Sequence, residues 1–128
     1  MKVCLIGSGF MGKAHAFGFA TAERVFDLPV SFEMDILADA TLDLAEAARA
    51  AFGFQRATEN WRDLISDPSI DIVDITAPNA LPKEMALAAI AAGKHVYCEK
   101  PFAPLTCDAL DMAETAEPAH VKTNRGFT

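Results

Sequence analysis

The chain is short of basic residues and has no long apolar run. Its 128 residues include 11 Lys and Arg against 18 Asp and Glu, which gives a formal net charge of −7 at pH 7. This acidic balance, without a basic cluster, argues against a nucleic-acid partner and against an anionic membrane surface. No apolar run approaches the roughly 18 residues of a membrane-spanning helix. The first residues hold too short an apolar segment for a secretion signal, so we expect a cytoplasmic protein.

Cysteine and histidine are also scarce, with three of each. Cys4, Cys98 and Cys107 form no C-x-x-C pair and are odd in number, which argues against a disulfide framework or a zinc site. We expect each of them to be a small buried hydrophobic side chain. The histidines lie far apart and form no metal-ligand pattern, so the sequence predicts no metal.

Hydrophobic residues, at 52%, are plentiful, and 128 residues suit one domain with a real core. Apolar runs alternate with helix-like segments along the chain. The predicted strands are residues 2–6, 32–38, 55–57, 70–75, 95–98 and 121–127. The predicted helices are residues 13–26, 41–51, 59–66, 81–92 and 105–117. Strands separated by helices indicate an α/β fold, with a parallel sheet and right-handed crossovers.

Local residue types set the expected ends and faces of these helices. Thr41 is the expected N-cap of the second helix, and Gly53 stands where a C-cap glycine belongs. For the first helix, the expected core contacts are Ala14, Phe17, Phe19 and Val25.

The most informative segment follows the first predicted strand and reads Gly7-Ser8-Gly9-Phe10-Met11-Gly12. Its G-x-G-x-x-G spacing is typical of a dinucleotide-binding turn when a strand precedes it and a helix follows. The first glycine permits a sharp turn, the second leaves room for a pyrophosphate, and the third lets helix and strand pack closely. Unpaired N–H groups at the helix N-terminus then point at the phosphates. The motif therefore predicts a doubly wound Rossmann sheet, ordered 3-2-1-4-5-6.

In such a sheet the ligand lies outside the carboxyl ends of the strands, so four loops are expected to line the site. They are residues 7–12, the turn at Asp39, residues 76–79 and residues 98–101.

Asp39 directly follows the second predicted strand. A carboxylate there accepts hydrogen bonds from an adenosine ribose and disfavours a 2′-phosphate. No Arg or Lys lies between Asp39 and Arg49 to offset this charge, so the sequence favours NAD over NADP. Asp35, inside the strand, is a weaker rival, and capping of the next helix is the alternative role for Asp39.

Two further loops carry polar residues at the same edge. Thr76-Ala77-Pro78-Asn79 follows the fourth strand, where small and polar side chains can face the ribose and nicotinamide. The alternative is that the last two of these residues only shape a turn. Glu99-Lys100-Pro101 follows the fifth strand, and a charged pair there is not needed for packing. The Lys100 ammonium could hold a substrate hydroxyl and polarise a carbonyl that receives hydride; the alternative is a solvated pair beside a turn.

Three segments resemble the N-terminal domain of the Gfo/Idh/MocA family, named for glucose–fructose oxidoreductase and inositol dehydrogenase. They are residues 7–15, 71–79 and 88–101, and the resemblance extends over essentially the whole chain. It implies an NAD(P)-binding Rossmann domain, which in the family precedes a larger α/β domain with an open sheet. It also implies oxidation or reduction of hydroxyl and carbonyl groups of sugars and cyclitols.

The resemblance further implies which residues meet the cofactor. The glycine loop would meet the pyrophosphate, Asp39 the adenosine ribose, and the two later loops the nicotinamide half and the substrate. The cofactor-binding residues are then Gly7, Gly9, Phe10, Met11, Gly12, Asp39, Thr76, Ala77, Pro78, Asn79, Glu99 and Lys100. Lys100 matches the family's lysine and is the candidate catalytic residue.

Two departures from the family pattern bear on function. Pro82 stands near the place where many relatives carry a histidine. Residues 121–128 look like the last Rossmann strand, so we expect residues 1–128 to be the cofactor domain alone, with the family's substrate domain absent. The leading hypothesis is a domain that binds NAD(H), turns over little alone, and self-associates through apolar surface that a second domain would cover. The alternatives are a non-catalytic dinucleotide sensor or interaction module, and a degenerate product without activity.

Overall fold

The computed structural model describes residues 1–78, 82–99 and 122–125. Within these residues, strands and helices alternate as the sequence predicts. The strands are β1 (Lys2–Ile6), β2 (Glu33–Ala38), β3 (Arg56–Thr58), β4 (Ile72–Ile75), β5 (His95–Cys98) and β6 (Thr123–Arg125). The helices are α1 (Phe10–Val25), α2 (Leu42–Phe52), α3 (Trp61–Ser66) and α4 (Pro82–Ala91). The helix predicted over residues 105–117 lies outside the described residues.

The strands form one parallel sheet in the order β3-β2-β1-β4-β5-β6. The predicted doubly wound sheet and its strand order are therefore confirmed. Neighbouring strand ends are tied by the backbone at the carboxyl edge, because Gly7 donates to the Ala38 carbonyl at 2.9 Å and Thr76 donates to the Ile6 carbonyl at 2.9 Å. The described residues of the predicted ligand loops lie at this edge.

Successive residues of the central strands face opposite layers of helices. Cys4 and Ile6 of β1 pack in the layer that contains α3 and α4. Leu5 of β1 and Leu37 of β2 pack in the layer that contains α1 and α2. Burial on both faces explains why the strands read as nearly continuous apolar runs.

The buried face of α1 differs from the predicted one. Gly12 and Ala16, one helical turn apart, are its buried residues, and Phe19 is half-buried. The other three predicted core contacts are exposed: Ala14, Phe17 and Val25. That prediction was wrong because a helix that lies close against a sheet needs small residues at the contact, so its bulky side chains point outward.

The predicted caps of α2 are confirmed. The Thr41 hydroxyl accepts a hydrogen bond from the Leu44 N–H at 3.3 Å, and Gly53 adopts a left-handed conformation with φ +82°. At the start of α3, Asn60 caps through a bond from the Arg62 N–H at 3.2 Å. The caps fix where the chain leaves each strand and enters the next helix.

Asp35 belongs to the framework and not to the predicted ligand site. Arg56 on β3 donates to both Asp35 carboxylate oxygens at 2.9 Å and to Asp67 at 2.7 Å. The guanidinium holds the pKa of Asp35 below its usual range, and it holds the pKa of Asp67 well below its usual range. Asp35 is thus explained by this ion pair, which removes it as a rival to Asp39.

Candidate functional site

The three glycines of the loop have different surroundings. A methyl group on Gly12 would lie 2.2 Å from the Gly7 carbonyl oxygen, so no larger residue fits there. Gly7 has φ +99°, and a methyl group on it would lie 2.9 Å from the Thr76 hydroxyl. At Gly9 a methyl group would meet no heavy atom within 4 Å. The first and third glycines therefore serve the fold, whereas the second leaves open space in front of the loop.

The N-terminus of α1 faces that open space. Gly9 is its N-cap, and the first helical hydrogen bond runs from the Lys13 N–H to the Gly9 carbonyl at 3.0 Å. The N–H groups of Phe10, Met11 and Gly12 precede this bond, and Phe10 is 86% exposed. Within residues 9–13, all of them described, no side chain caps the helix and no acidic residue occupies its first turn. N–H groups without a partner inside the helix, together with the positive end of the helix dipole, suit an anion at this place.

Asp39 is fixed against the glycine loop. One carboxylate oxygen accepts the Ser8 N–H at 2.9 Å and also the Ser8 hydroxyl, and the other accepts the Ala40 N–H at 2.6 Å. The cap of α2 is Thr41, so the alternative in which Asp39 caps that helix is wrong. The partly exposed carboxylate thus lies beside the open glycine loop.

Thr76, directly after β4, contacts the backbone of the glycine loop. Its hydroxyl lies 3.1 Å from the Ile6 carbonyl oxygen and 2.9 Å from the Gly7 carbonyl oxygen. This hydroxyl therefore joins the end of β4 to the glycine turn. In the described structure its contacts are with backbone carbonyls of the protein itself.

An apolar cleft of about 190 Å³ opens between the ends of β1, β2 and β4. Its lining includes four of the predicted site residues and three that were not predicted from the sequence. The predicted ones are Gly7, Asp39, Ala77 and Pro78. The missed ones are Glu59, Trp61 and Met85. The strand order could have found the first two, because it puts the residues after β3 at the same edge as Asp39.

A second group of polar side chains lies between α1 and β5. His15 Nδ1 is 2.9 and 3.0 Å from the two carboxylate oxygens of Asp74, and His15 Nε2 is 3.6 Å from Glu99 Oε1. The Tyr97 ring meets the imidazole edge to face, with centroids 5.0 Å apart. Sequence reasoning missed this cluster, although a carboxylate inside the apolar run of β4 was a usable signal.

The hydrogen bond with Asp74 raises the pKa of His15, and burial raises the pKa of Asp74. Burial likewise raises the pKa of Tyr97.

The remaining predicted site residues fall in two groups. Glu99 lies at the same edge, because its N–H donates to the Ile75 carbonyl at 2.8 Å directly after β5. Asn79 and Lys100 lie outside the described residues.

In the described ranges, no group of three or more His, Cys, Asp or Glu is arranged to hold a metal ion. Nor does any helix in those ranges have the length and apolarity to cross a membrane.

These features define a dinucleotide-binding Rossmann domain. They are the parallel sheet, the glycine turn, the open helix N-terminus and the carboxylate after β2. A family model agrees with this class: the Gfo/Idh/MocA model, described as an oxidoreductase family with an NAD-binding Rossmann fold, matches residues 1–127. The chain belongs to this family. The predicted resemblance is confirmed, and so is NAD as the predicted cofactor.

Individual relatives agree with the family assignment. The chain is 46% identical over 104 residues, 80% of its length, to levoglucosan dehydrogenase of Pseudarthrobacter phenanthrenivorans. An NAD-binding oxidoreductase from Klebsiella pneumoniae superposes with a TM-score of 0.95 at 48% identity over 99% of this chain. A levoglucosan dehydrogenase in complex with NADH and L-sorbose superposes with a TM-score of 0.95 at 39% identity over 98% of it. The chain spans 27%, 34% and 33% of the lengths of these three proteins, in that order.

Proposed function

We propose that this chain is the NAD(H)-binding domain of a dehydrogenase that acts on CH–OH groups of sugars or cyclitols. The observation that carries the proposal is the open space at Gly9, in front of an uncapped helix N-terminus and beside the Asp39 carboxylate. A pyrophosphate fits the first two features, and a ribose fits the third. The names of the relatives, among them levoglucosan dehydrogenase and inositol 2-dehydrogenase, support a carbohydrate or cyclitol substrate.

In this proposal the cofactor lies along the carboxyl edge from β2 to β5. The residues expected to contact its pyrophosphate are Gly7, Gly9, Phe10, Met11 and Gly12. Asp39 would accept hydrogen bonds from the adenosine ribose, and its charge would disfavour the 2′-phosphate of NADP. The apolar cleft beside Trp61 would take the adenine ring. The loop after β4 would lie along the cofactor toward its nicotinamide end, with residues Thr76, Ala77, Pro78 and Asn79.

At that end, Glu99 and Lys100 would lie beside the nicotinamide and the substrate. When bound, NAD supplies the acceptor for a hydride from the substrate carbon. Lys100 would hold the oxygen of that carbon through its ammonium and so fix the geometry of the transfer. Lys100 is accordingly the proposed catalytic residue.

The chain alone is proposed to bind cofactor without sustained turnover. Relatives about three times its length provide room for a separate substrate domain, and productive orientation of two reactants supplies much of an enzyme's rate enhancement. A cytoplasmic location and a lack of nucleic-acid or membrane partners stay predictions from charge and composition.

Calorimetric titration of the folded chain with NAD⁺ and NADP⁺ tests the binding proposal. We expect weak to moderate binding of NAD⁺ and weaker binding of NADP⁺. Circular dichroism on the same sample establishes that the protein is folded. Absence of heat at millimolar NAD⁺ from folded protein would contradict the proposal. Sustained sugar oxidation by the chain alone would contradict the need for a second domain.

A further inference from the structure

The cluster of His15, Asp74, Tyr97 and Glu99 is distinct from the cleft that Asp39 and Trp61 line. The Asp74 side chain is 1% exposed, and those of His15 and Glu99 are each 11% exposed. Among the described residues, the titratable groups that face the imidazole are Asp74 from β4, Tyr97 from β5 and Glu99 directly after β5. An imidazole thus lies between two carboxylates in a nearly enclosed place.

At these distances, the hydrogen bonds that His15 makes with the two carboxylates depend on whether its imidazole is protonated. A protonated imidazole has two N–H groups, so Nδ1 can donate to Asp74 while Nε2 faces Glu99. A neutral imidazole has one N–H group for two carboxylates. Loss of the proton also makes the cluster one charge more negative, whichever side chain held the proton.

Glu99 connects this cluster to the nicotinamide end of the proposed site. Its backbone N–H is bonded to Ile75 at the carboxyl edge, and the next residue in the chain is Lys100. The nicotinamide ring carries a positive charge in NAD⁺ and none in NADH. A change in the charge of the cluster therefore acts on the two redox forms differently.

We propose that His15, held by Asp74, is a positioning residue that orients Glu99 and sets the preference of the site for oxidised over reduced cofactor. The inference rests on the proposed function, which puts the nicotinamide beside Glu99. When the cluster loses its proton, the added negative charge favours NAD⁺ over NADH. In a partly screened site, one added charge near the ring should change the ratio of the two dissociation constants by about three- to thirtyfold.

The test measures Kd for NAD⁺ and for NADH on the chain from about pH 6 to about pH 10, a range that spans histidine titration. Both forms share the ADP-ribosyl part, so the ratio Kd(NADH)/Kd(NAD⁺) reports the nicotinamide end alone. We expect this ratio to rise with pH. Its midpoint should coincide with the titration of the His15 imidazole followed by NMR on the same protein, a comparison that needs no variant.

The double variant His15→Gln with Asp74→Asn removes the titrating pair without leaving an unpaired buried charge. Its ratio should stay near the low-pH value of the wild-type chain at every pH. His95→Gln is the matched control, because His95 lies at the opposite end of β5 and its Nδ1 accepts the Lys122 N–H at 3.0 Å. This control should keep the wild-type profile.

The possible results separate the two proposals. Binding of both forms with a ratio that does not change with pH, or that changes away from the His15 midpoint, contradicts the inference and leaves the proposed function standing. A double variant that folds and keeps the wild-type profile contradicts the inference as well. If neither form binds to folded protein, the proposed function fails and this inference fails with it.

Discussion

At the scale of single residues, Gly9 and Gly12 offer a way to separate folding from binding. Gly12→Ala should destabilise the domain by several kcal/mol, since its methyl group would lie 2.2 Å from a backbone oxygen. Gly9→Ala meets nothing within 4 Å in the protein and should leave thermal unfolding nearly unchanged, yet weaken NAD⁺ binding at least tenfold. Differential scanning calorimetry and titration calorimetry measure the two effects.

The matched control is Gly18→Ala, a second glycine with open space around it, on the exposed side of α1. It should bind NAD⁺ like the wild type and gain about 0.5–1 kcal/mol from its better helix propensity. If Gly9→Ala binds as tightly as Gly18→Ala, the pyrophosphate does not approach Gly9.

Asp39 carries the proposed choice between NAD and NADP. Asp39→Asn removes the charge and keeps one oxygen for the Ser8 N–H. We expect NAD⁺ affinity to fall about tenfold, the loss of a hydrogen bond to a charged group. NADP⁺ affinity should fall less or rise, since repulsion of the 2′-phosphate is relieved. Competition titrations with both nucleotides measure this, and an unchanged affinity ratio would contradict the assignment.

The sequence predicted these residues because their chemistry is local. Glycine spacing requires only a strand before it and a helix after it, and Asp39 stands directly after a strand. What the sequence left open was which neighbours each residue meets. Thr76 stays a predicted cofactor residue, but the sequence did not predict that its hydroxyl also contacts the Ile6 and Gly7 carbonyls, 70 and 69 positions away in the chain.

At the scale of elements, α1 illustrates the limit of pattern reasoning. The glycine motif predicted that this helix exists. Its buried face could not be predicted from apolar residues, because Phe17 and Val25 are exposed whereas the small Gly12 is buried. The face was set by the close approach of helix to sheet and not by hydrophobicity. The Asp74–His15 contact was missed for a related reason, since it joins residues 59 positions apart.

The ion pair between β3 and β2 predicts how stability responds to acid. Arg56 lowers the folded-state pKa of Asp35 and of Asp67. The ion pair therefore contributes fully to the free energy of unfolding above the unfolded pKa of about 3.9. This contribution is lost as pH falls through the lower folded-state pKa values. Arg56→Gln should lower the free energy of unfolding by about 1–3 kcal/mol at neutral pH, a range discounted for the 47% exposure of its side chain. The loss should shrink in strong acid.

Urea denaturation at several pH values measures this dependence. Arg62→Gln is the control, because the Arg62–Glu84 pair is exposed on both sides and should contribute less than about 1 kcal/mol. Equal losses for the two variants, or a loss at Arg56 that does not change with pH, would contradict the account of the framework.

At the scale of the whole molecule, the exposed apolar side chains near α1 bear on assembly. Phe10, Phe17, Val25 and Phe26 are 86%, 71%, 68% and 62% exposed. Large exposed apolar side chains of this kind mark an interface or an association liability. The chain is therefore expected to self-associate as its concentration rises. Phe17→Ser should weaken that association, and light scattering after gel filtration measures both. A strictly monomeric profile at high concentration would contradict this prediction.

The architecture of the whole molecule was the most predictable part. The sheet order follows from alternating strands and helices together with one glycine motif, because few topologies satisfy them. One side of the cleft was less predictable. Met85 comes from α4, and only the folded structure brings it beside Asp39.

NAD is proposed to bind at the carboxyl edge of β1, β2 and β4. Amide chemical-shift mapping of the chain by NMR during a titration with NAD⁺ locates the bound nucleotide. Shifts should concentrate in residues 7–12, in Asp39 and Ala40, and in Thr76 and Ala77, with little change at the amino edge near Lys2, Glu33 and Asp71. Shifts centred on the amino edge, or none at millimolar NAD⁺, would contradict it.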